Sequence, residues 1–292
     1  VVKIAPYGTW PSPITAAEVA TARGGRSWVG IAGGYAWWAE SRPTEGGRLA
    51  LCRARPGEPA QELLPAPWNA RNRVHEYGGR PWIMLDTPDG PRVAFTNWDD
   101  QRWYLFDPDG DATPTPISPD PPCEHGARYA DPAVSPDGRH LWCVRETVTG
   151  PRPTDIHRDL VAIPLSGAAA TDPGAVRVLA ESHHFLTGPQ PSPDGRRVAW
   201  LGWNHPAMPW DGTELCVADL RPDGTLGEHR VVAGGPTEAV CQIGWEGPDT
   251  LVALTDPEGW WNLYRVSATA AAPATPLAPV EAELGGPLWQ IG

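Results

Sequence analysis

Three stretches of the 292-residue chain concentrate more chemistry than a turn needs: Arg73-Val74-His75-Glu76-Tyr77-Gly78-Gly79, Trp203-Asn204-His205-Pro206-Ala207-Met208-Pro209-Trp210-Asp211-Gly212-Thr213-Glu214-Leu215, and Asp256-Pro257-Glu258-Gly259-Trp260-Trp261-Asn262-Leu263-Tyr264. A carboxylate such as Glu76 can hold a substrate ammonium, a charge-assisted bond worth about 1.5–3 kcal/mol. It can equally form a buried ion pair with Arg73, and the sequence leaves both readings open. Trp210 and Met208 read as interface packing, Asp211 as an acceptor closing its own loop, and Tyr77-Gly78-Gly79 as blade packing. Arg73, Glu76, Tyr77, Trp210 and Asp211 form the candidate substrate-binding set. No catalytic residue is assigned, because no Gly-x-Ser-x-Gly elbow occurs and no Ser, His and Asp sit in a triad context. His75-Glu76 is not followed by the x-x-His of a zinc helix, and His125, His157 and His183-His184 show no ligand spacing. Asp107, Asp109 and Asp111 alternate like a calcium loop, but Ser118 stands where the closing Glu belongs, so this is a turn. No phosphate-binding loop is present; no metal and no cofactor are expected.

The elements that must position these residues are short. Pro (36) and Gly (32) are spread along the chain, and Trp (16) is abundant, which favours many strands separated by many turns. At 41% hydrophobic and 20% charged, the chain is neither disordered nor a coiled coil. A formal charge of −12 disfavours nucleic acid or an anionic membrane as partner. No apolar run approaches the roughly 20 residues of a membrane span, and the start does not read as a signal peptide. Five widely spaced cysteines without a Cys-x-x-Cys pair read as reduced, mostly buried thiols. A cytoplasmic location is the expectation.

One unit recurs, in the order strand, Pro-Asp-Gly-like turn, strand, loop, strand, turn, strand. Ser135-Pro136-Asp137-Gly138 and Ser192-Pro193-Asp194-Gly195 open two copies, and Glu246 to Asp249 supplies the turn of a third. Asp137, Asp194 and Asp249 lie 57 and 55 residues apart, longer than the roughly 40–45 of a minimal propeller blade. Two diverged copies are placed upstream, at residues 29–64 and 74–117. Five four-stranded units make an all-β fold, a β-propeller, and residues 283–291 read as the opening of a sixth. Thr15-Ala16-Ala17-Glu18 has the spacing of a capping box, so one short helix precedes the blades, with Gly24 as its stop. The expected domains are an N-terminal segment, 1–25, and an incomplete propeller, 26–292.

The strings Arg-Val-His-Glu-Tyr-Gly-Gly and Asn-His-Pro-x-Met-Pro-Trp-Asp, together with Lys3-Ile4-Ala5-Pro6-Tyr7-Gly8-Thr9-Trp10-Pro11-Ser12-Pro13-Ile14, resemble the N-terminal propeller of the prolyl oligopeptidase family of serine peptidases. The nearest branch is the bacterial acylaminoacyl-peptidase and aminopeptidase type, puromycin hydrolase-like. Arg80 departs from it, standing where a third Gly is expected. The resemblance implies a C-terminal α/β-hydrolase domain bearing Ser, Asp and His, absent from this sequence, as the propeller's partner. It implies a gating and selecting role in releasing N-terminal or acylated amino acids from short peptides or aminoacyl amides. Aminopeptidase and acyl-peptide release both stay open, as does association into a homo-oligomer. The competing class is a free-standing interaction propeller without catalysis.

Blade topology sorts the motifs. Turns between first and second strands lie on one face, with the Ser-Pro-Asp-Gly turns. Loops between second and third strands, and the links between blades, lie on the other, with all three rich stretches.

Overall fold

The computed structural model describes residues 4–20, 24–87, 90–111, 113–269 and 272–292. The chain divides into two compact units, 1–65 and 66–292.

In the first unit, helix α1 (Ala16–Ala20) starts as the capping box requires: the Thr15 amide donates to Glu18 Oε2 at 2.7 Å and the Glu18 amide donates to Thr15 Oγ1 at 3.1 Å. The approach to Gly24 as its stop lies outside the described residues. Blade I follows, with β1 (Arg26–Ala32), β2 (Tyr35–Arg42), β3 (Arg48–Ala54) and β4 (Gln61–Glu62) in sequential antiparallel order. Trp38, Ala50 and Cys52 are buried together on it.

The second unit holds four more sheets of the same order. Blade II comprises β5 (Trp82–Thr87), β6 (Gly90–Thr96), β7 (Trp103–Phe106) and β8 (Thr115–Pro116). Blade III comprises β9 (Ala127–Val134), β10 (His140–Val148), β11 (Ile156–Pro164) and β12 (Arg177–Ala180). Blade IV comprises β13 (Phe185–Pro191), β14 (Arg197–Trp203), β15 (Glu214–Asp219) and β16 (Arg230–Gly234). Blade V comprises β17 (Val240–Gly247), β18 (Thr250–Thr255), β19 (Asn262–Ser267) and β20 (Thr275–Pro276). These are the five four-stranded units that the repeat predicts, and among the described residues after α1 the only helical segments are short 3₁₀ turns.

Side-chain alternation along each strand explains why the sheets stack. On β10, Leu141 and Cys143 enter a core shared with Leu85, Ala94 and Trp103 of blade II. Trp142 and Val144, one residue out of phase, enter a core with Val198, Trp200 and Cys216 of blade IV. Blade IV repeats the arrangement, sending Ala199, Leu201 and Val217 against Val240, Leu251 and Val266 of blade V. Both faces of a middle blade are therefore apolar, and each fully buried aliphatic side chain contributes roughly 1.5–3 kcal/mol.

The two Ser-Pro-Asp-Gly turns are superimposable in chemistry. Ser135 Oγ donates to Asp137 Oδ1 at 2.6 Å and accepts the His140 amide at 2.9 Å. Ser192 Oγ donates to Asp194 at 2.6 Å and accepts the Arg197 amide at 3.0 Å. Gly138 and Gly195 both sit at φ +69°, which a residue with a Cβ rarely adopts.

The link before β5 has its own local structure. Val74–Glu76 is a 3₁₀ turn, and the strand begins at Trp82. Gly79 forms a parallel bridge with Ile291. Its missing Cβ is required, because a carbon there would lie 2.5 Å from Ile291 Cγ1 and 2.8 Å from the Ile291 carbonyl oxygen. Of residues 283–291, expected to open a sixth unit, 283–290 form no strand and Ile291 makes only the bridge to Gly79.

Three of the five cysteines (Cys52, Cys143, Cys216) are buried, and all five are free thiols. Of the tryptophan pair in the third rich stretch, just before β19, Trp261 is buried and Trp260 is exposed.

Candidate functional site

The backbone of the 73–79 link is unusual. His75 (φ +55°) and Glu76 (φ +64°) are consecutive non-glycine residues in the left-handed region, a conformation that persists only where its surroundings over-determine it. The buried Asn72 side chain supplies part of that constraint, accepting the Gly79 amide at 3.0 Å and donating to the Gly79 carbonyl at 3.1 Å. Gln101 Oε1 accepts the Arg73 amide at 2.8 Å. From blade III, Glu146 Oε2 accepts the His75 amide at 3.2 Å.

This turn presents the Glu76 carboxylate, with 54% of the side chain exposed, to two guanidinium groups: Arg73 Nη2 at 2.8 Å and Arg128 Nη1 at 2.5 Å. Partial burial alone would raise the Glu76 carboxyl, but hydrogen bonds from Arg128 and Arg73 outweigh it and hold the group below the usual carboxylate range. Of the two readings left open for Arg73 and Glu76, the pair forms, and it is half-exposed rather than buried. Behind it lies Glu146, which is buried, paired with Arg158 Nε at 2.6 Å and 3.7 Å from Arg128 Nη1. Burial raises the Glu146 carboxyl, and Arg158, Arg128 and the His75 amide oppose that rise. The His75 ring packs edge-on against Phe185 and Trp203, at 5.3 and 5.8 Å between centroids. Burial, followed by the repulsion of Arg158, lowers its pKa to about 3, so the imidazole is neutral.

These groups line a cavity of about 490 Å³ whose polar wall is Glu76, Arg128, Glu146 and Arg158 and whose apolar wall includes Phe185. A second cavity, of about 730 Å³, shares Arg158 and Phe185 with the first and continues past His157, His183 and His205. Phe185 stacks on Trp203, with ring planes 9° apart, and Arg158 caps it at 4.4 Å.

The other candidates gather elsewhere. Trp289 bridges Tyr77 (5.5 Å) and Trp210 (4.6 Å), so two residues far apart in sequence join one aromatic cluster. Tyr77 is 57% exposed there; blade packing falls to Gly78 and Gly79 alone, because the ring leans outward on Trp289. Asp211 Oδ2 accepts the Met208 amide at 2.8 Å and closes its own loop. The five sequence candidates therefore form an ion cluster (Arg73, Glu76), an aromatic cluster (Tyr77, Trp210) and a loop brace (Asp211). The Asp107 segment is a turn, its carboxylate accepting the Asp109 and Gly110 amides at 2.9 Å each.

Sequence reasoning missed Arg128, Glu146, Arg158 and Trp289. The first three are direct cross-strand partners on β9, β10 and β11, with Glu146 opposite both arginines; the alignment of those strands is the signal that finds them.

No family model matches the sequence, and no curated protein matches it. Solved structures do. A puromycin-hydrolyzing peptidase of Mycobacterium tuberculosis is 46% identical with a TM-score of 0.89, over 99% of this chain and 43% of that one. Puromycin hydrolase is 46% identical with a TM-score of 0.91, over 100% of this chain and 44% of that one; its serine-to-alanine mutant is known complexed with PGG. Prolyl oligopeptidase B from Galerina marginata, at 13% identity and a TM-score of 0.58 over 89% of this chain and 38% of that one, shares the fold alone. The chain thus spans less than half the length of the puromycin-hydrolyzing proteins that it matches.

Proposed function

We propose that the chain is the β-propeller portion of a prolyl oligopeptidase-family peptidase, and that it gates and selects substrates for a serine peptidase acting on short peptides and aminoacyl amides. The observation that carries this reading is the 46% identity to puromycin hydrolase along the whole chain. The complex of that relative with PGG supports a peptide as ligand. Free thiols at all five cysteines support a reducing, cytoplasmic setting.

In this reading the nucleophilic serine belongs to the α/β-hydrolase portion and the propeller supplies the selecting groups. Glu76 is the acceptor for the substrate's amino terminus. Its two oxygens take one guanidinium each and keep lone pairs for an ammonium, since a carboxylate offers about four acceptor sites. Arg73 and Arg128 keep it ionised. Holding the amine there sets how many residues lie between it and the attacked carbonyl, which makes the enzyme an aminopeptidase without a metal. Tyr77, Trp289 and Trp210 form an apolar surface for the docked catalytic portion, and Asp211 fixes the loop that carries Trp210.

The test is Glu76→Gln in the full-length enzyme. A fall of roughly tenfold or more in kcat/KM for free-amine substrates, with N-acylated substrates spared, supports the assignment. An equal fall for both would show that Glu76 only braces Arg73 and Arg128, and no change in either would make it a spectator.

A further inference from the structure

Half of the chain's eight histidines line the larger cavity, and one of them, His183, is seated as a metal ligand would be. Its Nδ1 lies 2.8 Å from the Ser182 hydroxyl, which is itself fixed by Trp200 Nε1–H at 3.0 Å. The ring lies over Gly202 of β14, where a Cβ would come within 2.2 Å of Nδ1. With Nδ1 anchored, Nε2 points at Glu214 Oε2, 3.0 Å away. Glu214 and Cys216 stand two residues apart on β15 and so share a face. The ligand atoms of His183, Glu214 and Cys216 all lie within 4.8 Å of one another.

We infer that His183, Glu214 and Cys216 form a binding site for a borderline-soft divalent cation, zinc foremost. The donor set of imidazole nitrogen, carboxylate oxygen and sulfur suits zinc and cobalt, and not the hard ions calcium and magnesium, which take oxygen. Bond lengths of about 2.0–2.3 Å to zinc require ligand separations of roughly 3.3–3.6 Å, so His183 and Glu214, at 3.0 Å, part slightly, and the separations from Cys216, at most 4.8 Å, close onto the ion. Ser182 serves as the outer partner that holds a ligating imidazole in one tautomer. On binding, the Cys216 thiol releases its proton to solvent, and the thiolate and the Glu214 carboxylate together balance the two charges of the ion. Three protein ligands leave a fourth position free.

A neighbouring group, His157, Asp159 and Glu181, is a poorer candidate. Both Asp159 oxygens already accept hydrogen bonds from Arg145, at 3.0 and 2.6 Å. It serves as the internal control. The inference does not depend on the peptidase reading.

The experiment titrates chelator-stripped full-length protein with cobalt(II), then zinc. The expected result is one equivalent bound, with a thiolate-to-cobalt absorption band that zinc displaces. Cys216→Ser should abolish the band. Glu214→Gln, at a partly exposed position, should weaken zinc binding at least tenfold and keeps the test decisive if the Cys216 variant does not fold. His157→Ala should change neither. Absence of stoichiometric binding at about 100 µM zinc, undiminished affinity in Glu214→Gln, or loss of binding in His157→Ala would overturn the assignment.

Discussion

His75 occupies left-handed backbone with its ring buried edge-on against Phe185 and Trp203, and its neutrality has a consequence for acid stability. The unfolded chain binds a proton on this imidazole below about pH 6.5, whereas the folded protein does so only near 3. Stability contributed by the neutral ring is therefore present above pH 6.5 and is lost as pH falls toward 3, by about 1.4 kcal/mol per unit. His140, lowered by burial and Arg177, adds the same sign, so the comparison must be with a variant. His75→Asn keeps a residue that tolerates positive φ; denaturant unfolding at pH 7 and pH 5 should show a less stable protein whose stability changes less between the two. Glu146 bears the opposite kind of load. Glu146→Ala would leave Arg158 and Arg128, both largely buried, without their shared carboxylate, and unfolding should show a loss of about 3–5 kcal/mol. A loss under about 1 kcal/mol would mean that the arginines find other partners.

At the scale of the element, the strands were legible where the turn chemistry was strong. The two Ser-Pro-Asp-Gly copies announce themselves because serine, aspartate and glycine each have a bond or a φ to supply. The 73–79 link was legible as a link between blades, but its turn was not, because the contacts that shape it come from the adjacent Asn72, whose Oδ1 accepts the Gly79 amide, and from Glu146 of blade III, which accepts the His75 amide. Glu76 could be found because it sits among unusual neighbours in sequence. Arg128, Glu146 and Arg158 could not, since charges scattered along strands look solvated until register sets them opposite one another. Gly79 tests how tightly that link is held. Gly79→Ala places a carbon against Ile291 and 3.0 Å from the Ala130 Cβ, and should lower stability by about 1–3 kcal/mol, read as a fall in Tm. An unchanged Tm would show that residues 289–291 can move aside at no cost.

For the molecule as a whole, apolar residues on both faces of blades III and IV account for the stacking of the sheets. Within each sheet the strands follow in sequential antiparallel order, so the Ser-Pro-Asp-Gly turns leave their sheets at the end opposite the loops that join second strands to third. The repeat and its long motif strings carried both fold and family in the sequence. The cavities did not show there, because Phe185, Arg158 and the histidines come from separate links and strands. The central proposal is that this propeller selects substrates for a peptidase whose bond-breaking serine lies outside residues 1–292. The most direct measurement is puromycin hydrolysis by the full-length protein beside the 292-residue chain alone, at equal concentration. The account predicts release of the amino acid by the full-length protein and none by the chain; hydrolysis by the isolated chain, or an inert full-length protein that is folded, would contradict it.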